Sequence, residues 1–170
     1  RHVDLVGENI DCALRGGPMD DESVVARPLG QASWRTCASP GYIARFGVPA
    51  HPDALRSEHR LVNYQSARTG RVLPARFERG GETFELEGTG PVSVNESNAN
   101  LATGLAGLGI IQNFHYVVRP HLQSGALVEV LADWRPPPYP FHVVYPPNRH
   151  LSTRVRVFID WVAEAFARLA

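Results

Sequence analysis

Apolar residues recur along this chain in two rhythms, period two and period 3.6, with Gly, Pro and small polar residues at the joints. IDCALRGG (10–17) predicts a short buried strand stopped by a Gly-Gly turn. VVARPLGQASWRTCAS (24–39) predicts a long β run interrupted at Pro28 and Gly30. That run ends at Pro40, a good first helical position behind Ser39 as N-cap, so PGYIARFG is expected to be a short helix closed by Gly47. A second short helix is expected after His51, where Pro52 and Asp53 suit a first turn. RLVNY (60–64) predicts a strand, and residues 76–88 alternate like a hairpin around Gly80-Gly81. Residues 2–9 read as the tail of a helix with Val3 and Val6 on one face.

The stretch VSVNESNANLATGLAGLGIIQN (92–113) carries the most information. VSVN and IIQN read as strands. Between them Asn95 or Ser97 is the expected N-cap of a helix, with Leu101, Leu105 and Leu108 at i, i+4 and i+7 and Gly109 as its left-handed stop. A complete βαβ unit implies parallel strands and a right-handed crossover. HYVVRPHLQSG is expected to be helical in part, with Pro120 as its breaker, and ALVEVL (126–131) is a strand. RPPPYP (135–140) is an extended proline segment, FHVVYP a strand after it. STRVRVFIDWVAEAFARL (152–169) predicts an amphipathic helix with Ser152 as N-cap and Val155, Phe158, Ile159, Val162 and Phe166 on one face. Strand and helix alternate from end to end, so the fold class is α/β. The segments outside 35–138 supply two or three strands and two helices, thin for a lobe with its own sheet, and sequence missing ahead of residue 1 is the favoured explanation.

Bulk properties exclude several classes. Basic and acidic residues balance at 17 each, so no basic field speaks for nucleic-acid binding by this chain itself. No apolar run approaches the ~20 residues needed to span a bilayer, and RHVDLVGEN lacks the apolar core of a secretory signal. Cys12 and Cys37 lie inside apolar runs without metal or redox spacing and read as small core residues, with a reducing cytoplasm as the default setting. His115 and His121 are six apart, which does not bring them onto one helical face as metal ligands. Asp20, Asp21 and Glu22 lack calcium-loop spacing and read as a solvated loop. No nucleophile elbow or phosphate loop occurs. GLAGLG (104–109) ends a helix rather than starting one, so it cannot aim amides at a pyrophosphate. No cofactor and no enzyme activity is therefore expected.

What remains is a set of polar groups at strand ends: Arg15, Gly16 and Gly17; Ser39; Tyr64; Asn95, Glu96, Ser97 and Asn98; and Gln112, Asn113 and Phe114. Open parallel sheets bind ligands outside the carboxyl ends of their strands, where helix N-termini add free amides and positive potential. A small carboxylate suits such a place, with Arg15 as a charge-assisted partner. For any single residue the alternative is that it merely caps a helix or ends a strand.

VDLVGENIDCALRGG, SVVARPLG, CASPGYIARFG, VNESNANLATGLAGLGI with IIQN, and YPPNRHLSTRVRVFIDWVAE occur in one order. Together they resemble the effector-binding domain of LysR-type transcriptional regulators over essentially the whole chain. The resemblance implies two Rossmann-like lobes of the type 2 periplasmic-binding-protein kind, residues 1–34 plus 139–170 and residues 35–138, with a small-molecule site between them. It also implies that a winged helix-turn-helix domain, a linker helix and the first strands of lobe one precede residue 1, leaving the first lobe incomplete. Carried over, the ligand contacts are Arg15–Gly16, Tyr64, Asn95–Ser97 and Gln112–Phe114. The implied partners are a small organic effector such as a carboxylate, a second copy in a homodimer or tetramer, and DNA through the absent domain alone, with no membrane. The alternative reading is a periplasmic solute-binding protein of a transporter; a catalytic α/β domain is a third class. Arg149, His150, Arg154 and Arg156 crowd the start of the last helix against its macrodipole, and an acidic partner on a neighbouring lobe or subunit is expected.

Overall fold

The alternating runs become β1 (Ala13–Gly16), β2 (Val25–Ala32) and β3 (Trp34–Ala38). α1 (Pro40–Phe46) follows, with Ser39 Oγ accepting from the Tyr42 amide as its N-cap and Gly47 closing it. A 3-10 turn (Pro52–Arg56), β4 (Asn63–Gln65), β5 (Val72–Leu73) and the hairpin β6 (Ala75–Arg79) and β7 (Glu82–Leu86) come next. Then come β8 (Ser93–Val94), α2 (Ser97–Leu105), β9 (Ile111–Phe114), α3 (His115–Gln123), β10 (Val128–Glu129), β11 (Tyr139–Tyr145) and α4 (Thr153–Leu169). The computed structural model describes residues 5, 7, 9–19, 23–67, 69–147 and 152–169. The acidic cluster Asp20–Glu22, the pair Arg149 and His150, and Val3 and Val6 of the expected first helix lie outside the described residues. Leu5, Gly7 and Asn9 lie in turns rather than a helix. The chain divides into two compact units, Arg1–Ala32 with Pro138–Ala170, and Ser33–Pro137.

In the first unit β11 is the central strand of an antiparallel sheet ordered β1-β11-β2. Pro28 and Gly30 do not end β2. Gly30 stands opposite Phe141 and Pro28 opposite His142, so Leu29 is the extra residue of a β-bulge. Pro28 is tolerated because β2 is an edge strand, and Gly30 because its φ of 147° and the Phe166 ring 3.2 Å from a would-be Cβ both disfavour a side chain. α4 lies on this sheet through Ile159 and Val162 against Val143, and Phe166 meets Phe141 at 5.2 Å between ring centres. Ser152 Oγ accepts from the Val155 amide at 3.4 Å, the N-cap the sequence predicts. Phe158, expected on the buried face, is instead exposed: that face is narrower than the five-residue stripe, and Phe158 falls on its flank. Arg154 and Arg156 are exposed in the first turns of α4.

In the second unit β3 lies between β10 and β9, antiparallel to both. β8 and β9 are parallel, as a βαβ unit demands, but they do not touch, because segment 61–64 lies between them. Tyr64 pairs with Val94 on one side, and Leu61 bridges Ile110 on the other, both parallel. Two apolar clusters flank this sheet. Tyr42, Leu55, Leu61, Phe77, Ile110 and Trp134 fill one; Cys37, Val62, Ile111, Val118 and Leu127 fill the other, with Leu101 and Leu105 of α2 packed against it. Cys37 is a core residue whose thiol burial pushes up to about 12, and Cys12 is half-buried beside Val143.

Four local expectations are corrected here. The N-cap of α2 is Glu96, not Asn95 or Ser97: its backbone is extended and its carboxylate reaches two helix amides. α2 stops at Leu105, so Leu108 lies beyond it and is exposed. The left-handed residue is Gly107, at φ 71°. Gly109 serves a close approach instead, a would-be Cβ standing 2.8 Å from the Arg60 carbonyl oxygen. Pro120 does not break α3, which runs on to Gln123.

Candidate functional site

The parallel directions of β8, segment 61–64 and the start of β9 bring their carboxyl ends to one rim of the second unit, where α2 and α3 begin. Asn95 follows β8 and is exposed; Tyr64 sits in β4 between Val94 and Leu73; Gln112, Asn113 and Phe114 complete β9.

The first turn of α2 already holds a negative charge. The Glu96 carboxylate accepts from the Asn98 amide at 2.9 Å, the Ala99 amide at 3.0 Å and the Asn98 side chain at 3.1 Å. These amide bonds hold its pKa below the ordinary carboxylate value. Ser97 Oγ donates to Asn113 Oδ1 at 2.9 Å, and Asn113 Nδ2 donates to the Ser97 carbonyl at 3.0 Å and to Asn100 Oδ1 at 3.1 Å. The Phe114 amide adds a bond to Asn113 Oδ1 at 2.8 Å. Asn113, 2% exposed, thus clamps the end of β9 to the start of α2. Gln112 is engaged as well. Its Nε2 donates to the Arg76 carbonyl at 3.0 Å and to Thr36 Oγ1 at 3.4 Å, tying the β6–β7 hairpin to β3.

Phe114 forms the middle of a ring stack, 4.0 Å from Trp34 and 5.6 Å from Tyr116 between centres. As N-cap of α3 it makes no side-chain cap bond, and the His115 amide donates to the Ser33 carbonyl at 2.7 Å. Burial, and then the neighbouring Arg35, Arg119 and Arg135, push the His115 pKa down, which favours its neutral form.

In the first unit Arg15 stands opposite His142 and Gly16 opposite Phe141 at the end of β1. A Cβ on Gly16 would come within 2.7 Å of the Tyr139 ring, so only glycine lets the strand end lie there. His142 Nδ1 is buried with no hydrogen-bond partner among the described residues. The sequence reading passed over His142; its one signal was a polar residue inside the apolar strand FHVVY. Among the described residues no three His, Cys, Asp or Glu side chains could hold a metal ion, and no helix is long and apolar enough to cross a membrane.

Comparison with known proteins is consistent in kind. The family model of the LysR substrate binding domain matches residues 1–167. The HTH-type transcriptional regulator YhjC of Escherichia coli K12 is 42% identical over 167 residues, 96% of this chain and 54% of its own length. The regulatory domain of CrgA, a LysR-type transcriptional regulator from Neisseria meningitidis, superposes with a TM-score of 0.81 at 26% identity, covering 96% of this chain and 79% of that domain. The regulatory domain of AphB in Vibrio vulnificus gives 0.75 at 28%, covering 93% and 76%. The chain spans about half the length of the curated relatives it matches. Those solved domains share its two-unit α/β fold, and the chain belongs to the LysR substrate-binding domain family, the regulatory part of LysR-type transcriptional regulators.

Proposed function

We propose that the chain senses a small organic effector on behalf of a LysR-type transcriptional regulator, and that the rim of the second unit is where that effector touches this unit. The observation that carries the reading is the convergence of three strand ends and two helix starts on one edge, the arrangement by which open α/β sheets present ligand sites. Asn95 and the Phe114 stack offer the rim's hydrogen-bonding and apolar groups. Ser97, Gln112 and Asn113 act mainly by fixing the rim's shape, because their side chains are engaged within the unit. Tyr64 and the charged Glu96 complete its border. In the first unit Arg15 and Gly16 at the end of β1, with His142 opposite Arg15 in the middle of β11, are the groups assigned to recognition, Arg15 as partner for an effector carboxylate.

Effector binding shifts the population of regulator conformations by its differential affinity for them, and the regulator acts as a homo-oligomer in the cytoplasm, reaching DNA through a separate helix-turn-helix domain. A transporter component is not favoured, since the matched relatives are named as transcriptional regulators. The same names favour a sensor over an enzyme. A thermal-shift panel of small organic acids on the full-length regulator tests this: at least one acid raises the melting temperature as its concentration passes its dissociation constant. A panel without effect at millimolar concentrations counts against an organic-acid effector.

A further inference from the structure

Arg35 shares one face of β3 with Cys37, because side chains two apart in a strand point the same way. Cys37 belongs to the apolar cluster that holds Val118 of α3, so Arg35 lies on the α3 side of the sheet. Glu129 stands opposite Cys37 in the β10–β3 pair and is therefore on that side as well. On α3 itself, His115 and Arg119 are one helical turn apart and share a flank. Arg135 follows β10 and reaches back to Glu129.

These groups form an unbalanced cluster of charge. Glu129 Oε1 lies 3.4 Å from Arg35 Nε and 3.3 Å from Arg135 Nη2. Arg119 is exposed and has no ion pair, and among the described residues no second carboxylate pairs with any of the three arginines. Three guanidinium groups thus gather about one carboxylate. The Arg35 side chain is only 14% exposed, so water screens it little, and its Nη1 donates to the Trp34 carbonyl at 2.7 Å. Excess positive charge in such a place is unfavourable unless an anion joins it. His115 registers that excess. Burial first, then Arg35 and Arg119, lower its pKa; Glu129 opposes them and Arg135 adds to the lowering.

We propose that this flank of α3 is a second binding site, for a small sulfate- or phosphate-like oxyanion held by Arg35, Arg119 and Arg135 with His115 beside it. Arginine forks match pairs of oxygen atoms, and the exposure of Arg119 and Arg135 leaves the ion a way in. The site uses none of the side chains assigned to the effector, so it can fail while the sensing reading stands, and the reverse. A bound anion offsets the repulsion that keeps His115 neutral and raises its pKa. Binding therefore tightens as pH falls below the ordinary imidazole value of 6.5.

The test is calorimetric titration of the full-length regulator with sodium sulfate, whose charge is constant over this pH range, at an ionic strength held fixed with sodium chloride. Wild type is expected to bind a sulfate that Arg119→Gln loses or weakens roughly fivefold or more; sulfate sites elsewhere on the regulator are common to both proteins. Glu129→Gln, which removes the competing carboxylate, is expected to tighten the same sulfate severalfold. Arg56→Gln removes the same charge from an exposed pair with Asp53 and should leave affinity within about twofold. Wild type should bind roughly threefold or more tightly at about pH 5.5 than at about pH 7.5, and His115→Gln should lose that dependence. No saturable sulfate binding, Arg119→Gln no more harmful than Arg56→Gln, or weaker binding by Glu129→Gln overturns the proposal. So does Asn95→Ala weakening sulfate as much as Arg119→Gln, which returns the anion to the effector rim. A pH dependence that survives in His115→Gln removes His115 from the site.

Discussion

Asn113 makes all four hydrogen bonds its side chain can make, two received at Oδ1 and two donated from Nδ2, inside the second unit. Replacing it with alanine leaves Asn100 and the Ser97 carbonyl short of partners in a buried place, so Asn113→Ala is expected to cost about 3 kcal/mol in urea unfolding. A cost below about 1 kcal/mol means that the clamp is dispensable. The sequence showed that polar residues crowd here, but not which of them face inward. Three consecutive polar residues, Asn95, Glu96 and Ser97, each suit a helix start. The extended backbone of Glu96 settles the choice for a residue with lower capping preference than its neighbours. A second residue-scale expectation concerns His59, buried against Tyr42. The Tyr42 hydroxyl accepts from the Arg60 amide at 2.8 Å, leaving its proton for His59 Nδ1 at 3.3 Å, which suits a neutral ring. Burial lowers the His59 pKa from 6.5, with Glu58 opposing, so below pH 6.5 the unfolded chain binds the proton more readily than the folded one. Stability is therefore complete above pH 6.5 and falls as pH drops through the lowered folded value. His115 acts with the same sign, so His59→Asn should reduce the slope of stability against pH without abolishing it. An unaltered slope removes His59 from the account.

Elements with local signals were the most legible. The Ser39 cap, Pro40 and Gly47 frame α1, and strict alternation around Gly80-Gly81 gives the β6–β7 hairpin. Interruptions were harder to read. Pro28 and Gly30 looked like breaks and are a bulge on an edge strand, while Pro120 sits inside α3. The end of α2 depended on which of three glycines takes the left-handed conformation: it is Gly107, while Gly109 is held to glycine by the close approach of the Arg60 carbonyl, nearly fifty residues away. Gly107→Ala forces a Cβ into φ 71° within 3.0 Å of Ser39 Oγ and should destabilise the protein by about 1–2 kcal/mol, read by thermal unfolding. A neutral or stabilising substitution contradicts the assigned helix stop.

At the scale of the whole molecule, α/β alternation and the ordered motifs carried the fold class and the family, and the family model and solved regulatory domains agree. Pairing across the chain was not legible: nothing local places segment 61–64 between β8 and β9, because that contact joins strands read as sequence neighbours. The site was legible as a neighbourhood rather than as a set of contacts. Strand ends named the rim, while the division of labour between shaping residues and contact residues needed the hydrogen bonds. That division makes Asn95 the sharpest probe, since it is exposed on the rim and its side chain has no hydrogen-bond partner among the described residues. The decisive measurement is calorimetric titration of the full-length regulator, wild type and Asn95→Ala, with an organic acid that raises its melting temperature. Loss of one hydrogen bond to the ligand predicts roughly tenfold weaker binding with unchanged melting in the absence of ligand. Equal affinity in the two proteins would contradict the assignment of this rim to the effector.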